Sequence, residues 1–313
     1  MSKKRSVVVV SITTFDDRGR LDEEAYRKHL GRLRDARCSV YVSSISSEVY
    51  SMSKEEIDRV LAISREELEG RVPYRAMGFE PRNAQELISF MQQVEKAGVG
   101  AAQIFSLDLG HGVKPNEAEL EIYYSTIIES SPLKFWLSSH PKSMGYELPL
   151  SLVERLCNKY SQIQGIAYGG VDLSYYAELI HRLGDRLEIH NAGPALALNS
   201  LGLGANGFMG SEGNFAPQLV QSVIDAWEAN DYPALAAAYG KLMRLTGIIL
   251  RSGGVGMRSV KPLMNAFGFP AGMLRAPRLP IGNNDLDRRI DDIVALDIPG
   301  IPAPISPRPY AHV

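Results

Sequence analysis

Short apolar runs alternate with amphipathic stretches of ten to sixteen residues through most of this chain. Apolar residues recurring every three to four positions mark helices, and short apolar runs bounded by turn residues mark buried strands. Val7–Ile12 predicts a first strand, followed by a helix over Glu23–Ala36 with Asp22 placed to cap it. Val40–Val42 precedes Lys54–Leu68, where Ser53 and Glu56 have the spacing of a capping box. Tyr74–Met77 leads to Ala84–Ala97, and Asn83 with Glu86 repeats that arrangement. In this helix Leu87, Phe90, Met91 and Val94 fall on one face.

The alternation continues. Ala101–Phe105 precedes Glu117–Ser130, which opens on Asn116 and Glu119, and Phe135–Leu137 precedes Leu150–Asn158 after Pro149. Ile163–Ala167 leads to Leu173–Leu183, capped by Asp172. Leu187–His190 is followed by a short helix near Ala195–Leu201, and Gly207–Met209 by Pro217–Ala229. Eight strand-then-helix units in order predict an α/β fold, a (β/α)8 TIM barrel, over residues 1–230. A doubly wound sheet would carry a glycine-rich first turn, and Ser11-Ile12-Thr13-Thr14-Phe15 is not one. Pro233–Ile248, Val260–Ala266 and Leu286–Leu296 predict a C-terminal helical extension of the same domain over 231–297, and 298–313 is a proline-rich tail.

Composition narrows the function classes. The 313 residues are 45% hydrophobic and 22% charged, enough to bury a full core, with a formal net charge of −2. That charge gives no electrostatic case for nucleic acid or an anionic membrane surface. The only cysteines, Cys38 and Cys157, suggest a reducing compartment and rule out a cysteine-rich zinc site. Lys3-Lys4-Arg5 before Ser6–Ile12 superficially looks like a signal peptide, but the apolar run is too short and no small-residue cleavage site follows. No segment is long and apolar enough to span a bilayer, so the expected setting is cytoplasmic.

The motifs at the strand ends resemble the dihydrodipicolinate synthase / N-acetylneuraminate lyase superfamily, over nearly the whole chain to about residue 296. The first strand ends Thr13-Thr14-Phe15-Asp16-Asp17-Arg18-Gly19, similar to that family's Thr-Pro-Phe/Met and acidic turn. Ser44-Ile45-Ser46-Ser47-Glu48 stands where the family has Gly-Thr-Thr-Gly-Glu, which binds the substrate carboxylate. Ser138-Ser139-His140-Pro141 replaces Tyr-Asn-x-Pro, whose tyrosine relays protons. Gly165-Ile166-Ala167 replaces Gly-Ile-Lys, whose lysine forms the imine. Alanine has no amine, so no Schiff base can form there. Lys261, with Val260, Leu274, Arg275 and Pro280, resembles the family's helical extension, where it would be structural. The resemblance also implies a homo-oligomer, a dimer or tetramer, although Leu107–Gly112 lacks the family's cross-subunit tyrosine.

In a barrel the chemistry collects where strands end. That places Glu48, Glu80, Asp108 with His111, His140 with Lys142, Tyr168, His190 with Asn191, and Glu212 with Asn214 at one rim. One reading makes His140 or His190 a general base, oriented by a carboxylate such as Glu212, with Tyr168 also in the catalytic set. Thr13, Ser46, Ser47, Ser138, Asn191 and Asn214 would then hold the substrate. No cofactor is required by this reading.

A second reading has His111, His140 and His190 with Asp108 or Glu212 binding a divalent metal. A third makes Lys142 a relocated imine former, although a solvated amine is unreactive at neutral pH. Ser211-Glu212-Gly213-Asn214 could cradle an anion or be only a turn. Arg251-Ser252-Gly253-Gly254-Val255-Gly256 lacks the strand a nucleotide-binding loop needs. The leading expectation is a lyase-type enzyme, an aldolase, hydratase, dehydratase or cyclase. It would act on a small carboxylate or 2-oxo acid by acid–base chemistry. The alternatives are a divalent-metal-assisted lyase and a non-catalytic small-molecule-binding or regulatory homologue.

Overall fold

The computed structural model describes residues 4–251 and 257–305. In chain order the elements are β1 (Ser6–Val10), α1 (Glu23–Asp35), β2 (Ser39–Val42), α2 (Lys54–Leu68), β3 (Tyr74–Ala76) and α3 (Ala84–Lys96). Then come β4 (Ala101–Ile104), α4 (Glu117–Glu129), β5 (Lys134–Ser139), α5 (Pro141–Met144), α6 (Leu150–Lys159), β6 (Ile163–Tyr168) and α7 (Leu173–Leu183). The remainder is β7 (Glu188–Ala192), α8 (Ala197–Leu203), β8 (Gly207–Gly210), α9 (Glu212–Phe215), α10 (Pro217–Glu228), α11 (Tyr232–Leu250), α12 (Met257–Ala266) and α13 (Asn283–Leu296).

The strands pair in chain order and close into an eight-stranded barrel, with parallel pairing wherever the register is defined. This is the (β/α)8 fold that the alternating pattern predicts, with its C-terminal helices. The helix starts form as their sequences dictate. Asp22, Asn83 and Asp172 accept from backbone N–H groups of the first turn, and Ser53/Glu56 and Asn116/Glu119 complete reciprocal capping boxes. Two single-turn helices, α5 and α9, carry no hydrophobic period and were not expected. Residues 298–305 form no regular element, while the rest of the proline-rich tail and residues 252–256 of the Arg251–Gly256 stretch lie outside the described residues. Among the described residues no helix is long and apolar enough to cross a membrane.

By their contacts the described residues divide into two compact units. One holds residues 4–5 and Tyr74–Met209, and so β3 to β7, most of β8, and helices α3 to α8. Past a register shift between Phe135 and Trp136 the β5–β6 pairing is regular, with Ile166 and Tyr168 of β6 on the helix side and Gly165 and Ala167 on the barrel-interior side. Tyr168 shows the helix side directly, since its ring stacks on Tyr175 and Tyr176 of α7 at 5.1 and 5.0 Å between centroids.

The other unit joins Ser6–Pro73 to the described residues from Gly210 onward. Here α10 packs on β1 and on α11, and α11 on α13. A charged cluster ties the loop after β2 to the C-terminal helices. The Lys261 ammonium, fully buried on α12, donates to Glu48 Oε1 at 2.5 Å and to the Met273 carbonyl at 2.9 Å. Burial lowers its pKa to about 8 although Glu48 opposes the shift, so it remains a cation at neutral pH. The Arg275 amide donates to Glu48 Oε2 at 3.1 Å, and its guanidinium forks onto the Glu56 carboxylate at 2.7 and 2.6 Å. The Phe15 ring lies 4.0 Å from the Arg275 guanidinium and 4.8 Å from the Lys261 ammonium.

Candidate functional site

The inner face of β4 to β7 is organised in two rows. Parallel register places Ser138, Ala167, His190 and Gly207 side by side across β5, β6, β7 and β8. One layer deeper, Gln103, Trp136, Gly165 and Glu188 form a second row across β4 to β7. Gly165 makes room for the Trp136 indole: a Cβ there would lie 2.2 Å from Trp136 Cδ1 and Nε1 and 2.5 Å from the Glu188 carbonyl. Any larger residue at 165 would therefore displace the indole.

Ala167 occupies the middle of the upper row, 6% exposed, with a methyl group and no nucleophile. No lysine stands in either row. Beside Ala167 is His190, 3% exposed. Its Nδ1 lies 3.4 Å from Glu188 Oε1, the carboxylate two residues back on the same strand face. That oxygen also accepts from Arg75 Nη2 of β3 at 2.7 Å, and the Arg75 guanidinium lies 4.1 Å over the Trp136 ring. Burial pushes the Glu188 pKa up, but Arg75 and His190 more than offset this and hold the carboxyl below its ordinary value. Glu188 is therefore an anion at neutral pH.

His140 follows the last residue of β5. Its ring covers Gly169, where a Cβ would meet His140 Cδ2 at 2.0 Å, so only glycine allows this seat. His140 Nδ1 is 2.9 Å from the Ser143 hydroxyl. Burial lowers the imidazole pKa, with Glu80 opposing and Lys142 reinforcing the shift. The ring is thus neutral at pH 7 and able to accept or donate one proton.

The structure places the other candidates elsewhere. Tyr168 faces the helices, and its hydroxyl donates to Glu147 Oε1 at 2.6 Å. Strand alternation puts it on the opposite side of β6 from Ala167. Asn191 also points outward, accepting from the Ser200 hydroxyl of α8 at 2.6 Å and donating to the Gly193 carbonyl. Ser138 alone of the expected binding residues on these strands lies on the inner face, in register with Ala167.

In the second unit Glu212 opens α9, buried; burial raises its pKa, with Thr246 of α11 opposing the shift. The carboxylate beside His190 is Glu188 and not Glu212. Ser47 spends its hydroxyl locally, donating to the Ser44 carbonyl at 2.6 Å and accepting from the Ser44 amide at 2.5 Å. Ser46 is buried in the same turn. The buried Thr13 hydroxyl has no hydrogen-bond partner among the described residues, so of these residues it keeps spare donor and acceptor capacity.

Asn214 is a fully buried clip. Its Oδ1 accepts from the Ile12 amide at 3.0 Å, and its Nδ2 donates to the Val10 and Ser211 carbonyls at 2.8 Å each. His29 Nε2 lies 3.0 Å from the same Oδ1. Burial sinks the His29 pKa to about 3, so the ring is neutral and bonds Asn214 as a donor from Nε2. With every polar atom of its amide engaged, Asn214 has nothing left for a ligand. Asn214→Leu, which orphans the Ile12 amide and the Val10 carbonyl, is expected to cost about 2–3 kcal/mol. A fall in the urea midpoint at unchanged slope would show it; an unmoved midpoint would mean the clip carries no stability.

His111 sits exposed at a left-handed turn, Asp108 pairs with Arg82 at 2.7 Å, and Lys142 is exposed. Among the described residues no three His, Cys, Asp or Glu side chains are grouped so as to hold a metal ion. The ligand set His111, His140, His190 with Asp108 or Glu212 does not converge. Glu188 and Arg75 were missed by pattern reading. Their signal was the inward pairing of Glu188 with His190 at spacing two, and a lone arginine inside the Tyr74–Ala76 strand.

A sequence model of the dihydrodipicolinate synthetase family matches residues 3–295. An uncharacterised DapA-like lyase of Pyrobaculum islandicum is 25% identical over 291 residues, 90% of this chain and 94% of that protein. The 4-hydroxy-tetrahydrodipicolinate synthase of Methanothrix thermoacetophila is 27% identical over 293 residues, 93% of this chain and 96% of its own. Among solved structures, dihydrodipicolinate synthase DapA-2 of Bacillus anthracis superposes with a TM-score of 0.84 at 21% identity, covering 95% of this chain and 98% of that one. YagE, a prophage protein of E. coli K12 solved with pyruvate, gives a TM-score of 0.85 at 21% identity, covering 94% and 99%.

Proposed function

The chain belongs to the dihydrodipicolinate synthetase family, and from that membership we propose that it is a lyase for a small 2-oxo acid that works without the family's strand lysine. The reaction class is addition to, or cleavage or dehydration of, such an acid by proton transfer alone. His190 is the general base. It takes a proton from the carbon or hydroxyl next to the oxo group, with the ionised Glu188 beside its Nδ1 to hold the ring. His140, neutral and set at the end of β5, serves as the second proton-transfer group. Ser138 contributes a hydroxyl beside the reacting carbon.

The observation that carries this reading is the register row itself. Ala167 offers no amine at the position that the family resemblance gives to the imine-forming lysine, and a buried imidazole with its own carboxylate stands on the very next strand. A 2-oxo acid bound against Ala167 meets a base and no nucleophile.

The test is reductive trapping. The protein is incubated with pyruvate and a panel of 2-oxo acids under borohydride, and its intact mass is measured. The expected result is the unmodified mass with every acid, alongside turnover of at least one of them. A stable adduct would overturn the imine-free mechanism and locate the amine by peptide mapping. Absence of turnover across the panel would favour a binding homologue.

A further inference from the structure

We propose that Arg75 is a positioning residue for His190: by neutralising Glu188 from the layer below, it keeps the imidazole uncharged and able to accept a proton. The inference rests on the reading of His190 as base and adds what maintains that base in working form.

Arg75 and His190 approach the same oxygen, Glu188 Oε1, at 2.7 and 3.4 Å. A carboxylate this close to an imidazole, left without a counter-charge, stabilises the imidazolium. An imidazolium has no lone pair and cannot act as a base. With Arg75 in place the pair beneath His190 is close to neutral, and the ring is spared that field. The guanidinium is itself only 6% exposed and is pinned flat over the Trp136 indole at 4.1 Å. That indole sits there because residue 165 has no side chain.

The residues paired with His190 across the barrel strands carry no charge. Its register neighbours are Ala167 on β6 and Gly207 on β8, and next in the row on β5 is Ser138. Lys4 acts on Glu188 more weakly than Arg75 does. A buried arginine at this spot therefore has a charge-balancing task that a packing residue would not fulfil.

The test follows the titration of the His190 ring by NMR in protein labelled at the imidazole carbons. Six histidines are present, and the signal of His190 is identified by its loss in His190→Gln. Arg75→Met is expected to raise the titration midpoint of His190 by about one unit or more. Arg75→Lys, which keeps the charge, should move it less. The double variant Arg75→Met/Glu188→Gln, which removes both charges together, should return it to the parent's value or below.

The double variant also guards against misfolding of the single one, since replacing a whole buried pair is tolerated better than halving it. An unmoved midpoint in Arg75→Met, or a double variant titrating above the parent, would overturn the proposal. The readout is independent of turnover. Failure of the catalytic reading would show instead as an unchanged kcat in His190→Gln with this titration behaviour intact.

Discussion

Replacing His190 by glutamine is expected to lower kcat on the preferred 2-oxo acid by about two to four orders of magnitude, the usual yield of a positioned general base. Glutamine approximates the shape of the imidazole and can still hydrogen-bond, so the barrel and the Glu188–Arg75 pair remain in place. What it cannot do is carry a proton at neutral pH. The loss should therefore fall on kcat and kcat/KM together, with KM little changed. The acid limb of the kcat/KM profile, which reports protonation of the base in the free enzyme, should disappear in the variant. Steady-state kinetics from pH 5 to 9 on parent and variant measure both effects. A variant retaining the parent's kcat would assign the chemistry elsewhere, with His140 the next group to replace. A non-catalytic homologue would show altered affinity and no rate to lose.

The second large effect concerns stability. Lys261→Met is expected to destabilise the protein by about 3–5 kcal/mol, because it leaves the Glu48 carboxylate, 2% exposed, without its cation. Against a typical total of about 5–15 kcal/mol, that is a severe loss. Adding Glu48→Gln to Lys261→Met should recover much of it, since a neutral amide costs far less to bury than an uncompensated anion. Urea unfolding of the parent, both single variants and the double variant gives the coupling energy directly. A coupling near zero would mean that the ammonium and carboxylate are held by their other partners, the Met273 carbonyl and the Arg275 amide, and not by each other.

The architecture was readable in the sequence because the alternation of β and α periods is a backbone-level signal repeated eight times. Caps such as Ser53 with Glu56 and Asn116 with Glu119 were equally plain, since they depend on neighbours in sequence. The site was legible only in part. His190 and Ser138 fall on the inner face, in one row with Ala167. Tyr168 and Asn191 occupy strand ends just as promisingly in the sequence, but one step of strand alternation turns both toward the helices. The register that decides between faces is fixed by pairing with other strands and cannot be read from a run as short as Glu188–Ala192.

In the sequence Asn214 and Ser47 read as ligand-binding groups, because polar residues near a strand end look available. Ser47 spends its hydroxyl within its own turn on Ser44, and Asn214 bonds the distant Val10 and Ile12 backbone and His29, partners of which sequence gives no notice. Glu212 illustrates the same limit. It stands near the end of β8, yet the carboxylate that touches His190 was two residues away on its own strand. Charge partners of buried groups are set by three-dimensional packing, as the Arg75–Glu188 and Lys261–Glu48 pairs both show.

The Glu48–Lys261 contact joins positions separated by 213 residues. A nascent polypeptide leaves the ribosome from its N-terminal end at about 5–20 residues per second. The turn holding Glu48 would therefore emerge about 10–40 seconds before its ammonium partner exists. During that interval the acid has bulk water for company. Closure of the N-terminal segment around it is thus postponed until α12, which carries the ammonium, has been made.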